Sequence, residues 1–145
     1  MIQRIQTIFL ILAAATFIVL FYLPFATTDV AAGEMLNDQA YTVEDHLLLG
    51  GLCLLGGILS LVAIFLYKNR PLQMRLGYII IIAAIFIILV AIGLFINESQ
   101  GYGNNVNIST GFGIGIPLLT IILVAVANRF IKKDEKTVRS MDRLR

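Results

Sequence analysis

Residues 76–97, LGYIIIIAAIFIILVAIGLFIN, decide the fold: they are 22 consecutive residues with no charge and no proline. About 20 such residues are what a helix needs to cross the roughly 30 Å hydrocarbon layer of a bilayer. A helix that is apolar all round has no face to turn toward water, so it belongs in a large core or in a membrane. A chain of 145 residues has room for one domain and not for a core of that size. The bilayer is therefore the solvent to which the rest of the sequence must be fitted.

The composition agrees. The chain is 59% hydrophobic and 14% charged, with a mean hydropathy of +0.90, where soluble domains are about 45–50% apolar and about 25% charged. Three more apolar stretches stand beside the first, so the predicted spans are 7–26, 47–67, 76–97 and 112–131. Residues 7–26 exceed the 7–15 apolar residues typical of a signal-peptide core, and they read as a retained helix despite the small residues Val30, Ala31 and Ala32 beyond them. In the second span Cys53, Gly56, Ser60 and Ala63 recur at offsets of three and four, which puts them on one helix face. Small residues let membrane helices approach closely, so this face is predicted to pack against another helix. Thr42, with Asp45 three residues on, is the expected cap of that helix.

The connections are short. Lys68–Arg75, KNRPLQMR, is a basic turn in which Pro71 ends one helix or opens the next. Residues 27–46 and 98–111 have loop composition, and Gly111, Gly113 and Gly115 read as flexibility at the start of the fourth span. Residues 132–145, KKDEKTVRSMDRLR, contain no helix breaker and carry Glu135 and Arg139 at i,i+4, so the last helix is predicted to continue beyond the apolar span.

Charge fixes the orientation. With four spans, both termini share a side with the basic turn. That side then carries all 11 basic residues: Arg4, Lys68, Arg70, Arg75, Arg129, Lys132, Lys133, Lys136, Arg139, Arg143 and Arg145. The opposite side carries none, and it holds Asp29, Glu34, Asp38, Glu44, Asp45 and Glu98. Short loops rich in Lys and Arg stay cytoplasmic. The expectation is an all-α membrane protein: an antiparallel bundle of four transmembrane helices, with both termini and the extension of the last helix in the cytoplasm.

No side chain in the middle of the spans is ionisable, which argues against a proton-coupled transporter or pump. Glu44, Asp45 and His46 are adjacent and point in different directions, so they read as interfacial rather than as a metal site. Cys53 has no base near it in sequence and reads as a packing residue. No catalytic residue, metal or cofactor is assigned. The tail pairs its cations with acids at helical spacing and has a small apolar stripe at Val138, Met141 and Leu144. This pattern favours docking on a protein surface, or along the chain's own basic turn, as well as attraction to anionic lipids, with Arg70, Arg75, Arg129, Lys132, Lys133, Lys136, Arg139, Met141, Arg143 and Arg145 as the expected contact residues. Nucleic acid is not expected, because the tail lacks aromatics for stacking on bases.

Met1–Thr7 (MIQRIQT), Lys68–Arg75 (KNRPLQMR) and Ala127–Arg145 (ANRFIKKDEKTVRSMDRLR) resemble the small four-helix inner-membrane proteins of Bacteroidota grouped as a domain of unknown function. The resemblance implies a bacterial cytoplasmic membrane, which sets aside glycosylation at Asn107. It transfers no activity and no site residue. The leading function is a non-catalytic accessory or structural subunit of a larger inner-membrane assembly, with protein export as the candidate process. The alternative is a transporter or channel for a neutral small molecule, built as an oligomer. A lipid-modifying enzyme ranks third, with Glu44, Asp45, His46 and Glu98 as its only candidates.

Overall fold

The computed structural model describes residues 2–29, 36–99 and 107–142; within these, the side chains at 2–4, 98, 139, 141 and 142 lie outside the description. Four helices dominate: α1 (Ile2–Val19), α2 (Leu47–Phe65), α3 (Arg70–Ser99) and α4 (Gly115–Asp142). Helices α1 and α3 each pack against both α2 and α4, which closes a ring of helix contacts.

Three of these helices, over Leu47–Lys68, Arg70–Asn97 and Phe112–Val138, are long and apolar enough to cross a membrane. Only 22% to 33% of their most apolar stretches is buried inside the protein. Large apolar side chains such as Leu54, Ile58, Ile82, Phe86 and Ile122 therefore point outward. In water so much exposed apolar surface would drive association; in hydrocarbon it is the expected outer surface. At about 1.5 Å per residue, the 30 residues of α3 and the 28 of α4 run about 45 and 42 Å. Both exceed the apolar layer, and the surplus lies mostly at the end that carries the basic residues.

The first span differs from expectation. Helix α1 stops at Val19 instead of running to 26, and its apolar stretch among the described residues is Ile5–Val19. Pro24 has no N–H and biases the residue before it away from helix. Phe21 and Tyr22 donate to the carbonyls of Ile18 and Val19, tightening the last turn, and the chain then enters a strand.

That strand corrects the all-α reading. Three short strands, β1 (Ala26–Thr28), β2 (Ala40–Tyr41) and β3 (Ile108–Thr110), form an antiparallel sheet in the order β2-β1-β3. The segments expected to be loops at the acidic end are thus tied together. Gly111 and Gly113 are not flexible: their amides donate to the carbonyls of Phe25 and Pro24 at 2.8 and 2.9 Å. A Cβ at Gly113 would sit 2.6 Å from the carbonyl oxygen of Leu23, so only glycine permits this backbone contact.

The sheet is fastened to the helices by Tyr41. Its ring is buried between Phe25 and Phe95, with centroids 5.5 and 6.0 Å away, and its hydroxyl donates to the Ala91 carbonyl on α3 at 3.2 Å. Beside it the start of α2 also differs from expectation. The cap is His46, whose Nδ1 accepts the Leu48 amide at 3.3 Å, while Thr42 and Asp45 bond each other one turn earlier.

Candidate functional site

The helices bring two sets of the expected residues into position. The first is the small face of α2. Cys53, Gly56, Ser60 and Ala63 are all buried, together with Leu49. The Phe17 ring of α1 lies over Gly56, where a Cβ would meet ring carbons at 2.5 Å. The Cys53 thiol donates to the Phe17 carbonyl at 3.1 Å. Ser60 returns its hydroxyl to the Gly56 carbonyl of its own helix at 2.8 Å. Gly56 and Cys53 thus pack α2 against Phe17 of α1.

The second set is the basic end. Because α4 continues past its apolar segment without a break, it runs beside the start of α3. Arg70 Nη2 lies 3.0 Å from Asp134 Oδ2, with both side chains mostly shielded; the contact is an ion pair without hydrogen-bond alignment. One turn inward, Asn128 Nδ2 donates to the Met74 carbonyl at 3.5 Å. These links hold α3 and α4 together where the charges lie. Arg75, Arg129, Lys132, Lys133 and Lys136 are exposed around them. The ridge formed by Lys132 and Lys136 separates two open grooves. One, of about 520 Å³, is lined by Val126, Arg129, Phe130 and Lys133. The other, of about 510 Å³, lies between α3 and α4 and is lined by Pro71, Met74, Arg75, Tyr78 and Glu135. Of the residues expected to make contacts, Arg143 and Arg145 lie outside the described residues, as do the side chains of Arg139 and Met141.

Composition and spacing did not single out a layer of buried carboxamides near this end. Gln6, Gln73 and Asn128 are 4%, 2% and 7% exposed. Gln73 Nε2 donates to the Ala63 carbonyl at 2.9 Å, joining α3 to α2. Gln6 Nε2, Gln73 Oε1 and Asn128 Oδ1 have no hydrogen-bond partner. Deeper in, Thr16 of α1 and Thr120 of α4 share a hydrogen bond at 2.7 Å while each also faces a carbonyl of its own helix. The available signal was the placement of single amides beside apolar runs, which periodicity does not weigh.

At the acidic end, His46 and Asp45 are committed to turn and cap bonds. Among the described residues no three His, Cys, Asp or Glu side chains group closely enough to hold a metal ion. A small apolar cavity of about 100 Å³ lies under the sheet, lined by Phe25, Tyr41, Phe95 and their neighbours.

Fold and site together define a mostly helical protein with three helices able to cross a membrane and a cationic platform at one end of them. Residues 2–144 match the family described as a domain of unknown function, DUF4293, and the chain belongs to that family. Comparison with curated proteins and with solved structures gives no match.

Proposed function

We propose that this chain is an integral membrane protein of the bacterial inner membrane, and that it serves as a non-catalytic accessory subunit of a larger membrane assembly. Its four helices form an antiparallel bundle, with the termini and the basic turn in the cytoplasm. The pairing of Phe9 with Phe130 and of Thr16 with Thr120 supports opposite directions for α1 and α4. The distribution of charge supports the orientation.

The observation that carries the subunit role is the pinned extension of α4. Arg70 and Asp134 hold a helix longer than the bilayer requires, and it presents Arg129 and Lys133 beside the apolar ring of Phe130. A tail that only adhered to lipid would need no fixed geometry. An acidic protein surface fits a rigid row of cations, and protein export is a setting in which such a subunit would serve. Purification from native membranes in mild detergent should recover a stoichiometric partner. Charge reversal at Arg129 and Lys133 should reduce that recovery sharply. A bare monomer from native membranes would overturn the proposal.

A second reading, a carrier of a small neutral molecule, is favoured by the cavity under the sheet, whose walls are almost wholly apolar. Its volume is below the roughly 150 Å³ of a cavity that takes benzene. Uptake would therefore require the cavity to widen, and the subunit role remains the better supported of the two.

A further inference from the structure

The groove between α3 and α4 is, we infer, a specific site for the headgroup of an anionic phospholipid. Arg75 comes from α3, and Lys132 and Lys136 from α4, so cations from two separate helices converge on one open space. Glu135 is the only carboxylate lining it among the described residues. Three cations and one carboxylate leave the groove at a net +2.

The surroundings suit a lipid rather than a free anion. Pro71 and Met74 give the groove an apolar wall beneath its cations. Tyr78, more than half exposed, stands at its membrane edge, where amphipathic rings prefer to sit. From Tyr78 the residues Ile82, Ile85 and Leu89 follow at i+4, i+7 and i+11, all exposed. These positions form one continuous stripe down the outside of α3. A phosphodiester held by Arg75 and Lys132 would thus have a ready track for its acyl chains. A basic pocket between membrane helices on the cytoplasmic side is a recurrent form of anionic-lipid site. The inference rests on the membrane placement proposed above and goes beyond it, because general attraction to a charged leaflet would not discriminate between the two grooves.

Native mass spectrometry of the full-length protein in detergent, with phosphatidylglycerol or phosphatidylcholine added, tests the site. The wild type should retain phosphatidylglycerol over phosphatidylcholine. Arg75→Gln with Lys132→Gln should weaken that retention by at least about tenfold, on the scale of two surface cations. Lys133→Gln, on the other side of the ridge, should leave it unchanged. All three side chains are exposed, and an unchanged melting temperature without lipid certifies the fold of each variant. Equal retention of the two lipids would overturn the inference. So would a double variant that binds like the wild type, or complete displacement by soluble glycerol phosphate, which would mark a site for free anions. Alkaline extraction of native membranes separates the two levels. A protein released by it refutes the membrane placement, whereas a protein retained without lipid preference refutes only the site.

Discussion

Asn128 shows how a single polar side chain can specify packing in an apolar body. Its carboxamide lies directly over Gly77 of α3, in the space that a Cβ would take. Glycine at 77 is therefore room for Asn128 rather than a source of flexibility. Gly77→Ala should cost about 1–3 kcal/mol, the usual range for overpacking. Gly77→Ala with Asn128→Ala should regain part of that loss, since residues in contact couple by about 0.5–3 kcal/mol. Reversible unfolding in detergent micelles checks both, and a strictly additive double variant would show that the contact does not matter. The Thr16–Thr120 bond is a weaker link. Each hydroxyl has a helix carbonyl in reach as well as the other threonine, so the partner is replaceable. Thr16→Val should lower stability by about 0.6 kcal/mol, the mean for hydrogen bonds between membrane helices; a loss several times larger would mean that the pair organises more than itself.

At the scale of elements, the ion pair between Arg70 and Asp134 sets how far α4 stays ordered. Both side chains are partly shielded, at 20% and 14% exposure, so screening is incomplete, yet the pair is near the surface and contributes about 1 kcal/mol at most. The useful readout is local. Arg70→Gln should increase amide hydrogen exchange over residues 132–142 while leaving exchange in the apolar segments of α2 and α3 unchanged. A uniform increase would point to global destabilisation instead. The elements also mark what could be read from the chain. Helices α2, α3 and α4 were legible because apolar length, Pro71 and the unbroken tail are local signals. The sheet was not. Strands of three, two and three residues are too short for alternation to register, and their pairing is decided by distant contacts such as Tyr41 with Ala91. The end of α1 is not legible for a related reason: residues 20–23 are apolar enough for a span, but Pro24 and the pull of β1 turn the chain. In the candidate site the cations were legible from charge alone. The pairing of Arg70 with Asp134, and the part of Met74 and Tyr78 in a groove, required the register of α3 against α4.

Across the whole molecule, polarity follows from where charge is costly to move. All 11 basic residues fall on the side of the termini and the 68–75 turn if α1 crosses with the other three helices. Helix α1 is the weak point of that arrangement. Its 18 residues give about 27 Å, slightly short of the hydrocarbon thickness. A short helix crosses by thinning the bilayer or by leaning on its neighbours, and α1 has such neighbours in α2 and α4. A crossing α1 places the N-terminus with the basic turn; an α1 lying along the interface would put it on the opposite side from α4's extension. Reporter fusions separate the cases. A fluorescent protein active only in the cytoplasm should work at both the N-terminus and the C-terminus, and a periplasm-dependent phosphatase should work when inserted after Asp38. Neutralising Lys68, Arg70 and Arg75 while adding three lysines to the 36–45 segment should produce a mixed or inverted population, because short-loop cations dominate orientation. If the N-terminal reporter instead follows the phosphatase while the C-terminal one stays cytoplasmic, α1 does not cross, and the packing of Phe17 over Gly56 must then be made by a helix that enters from the other face.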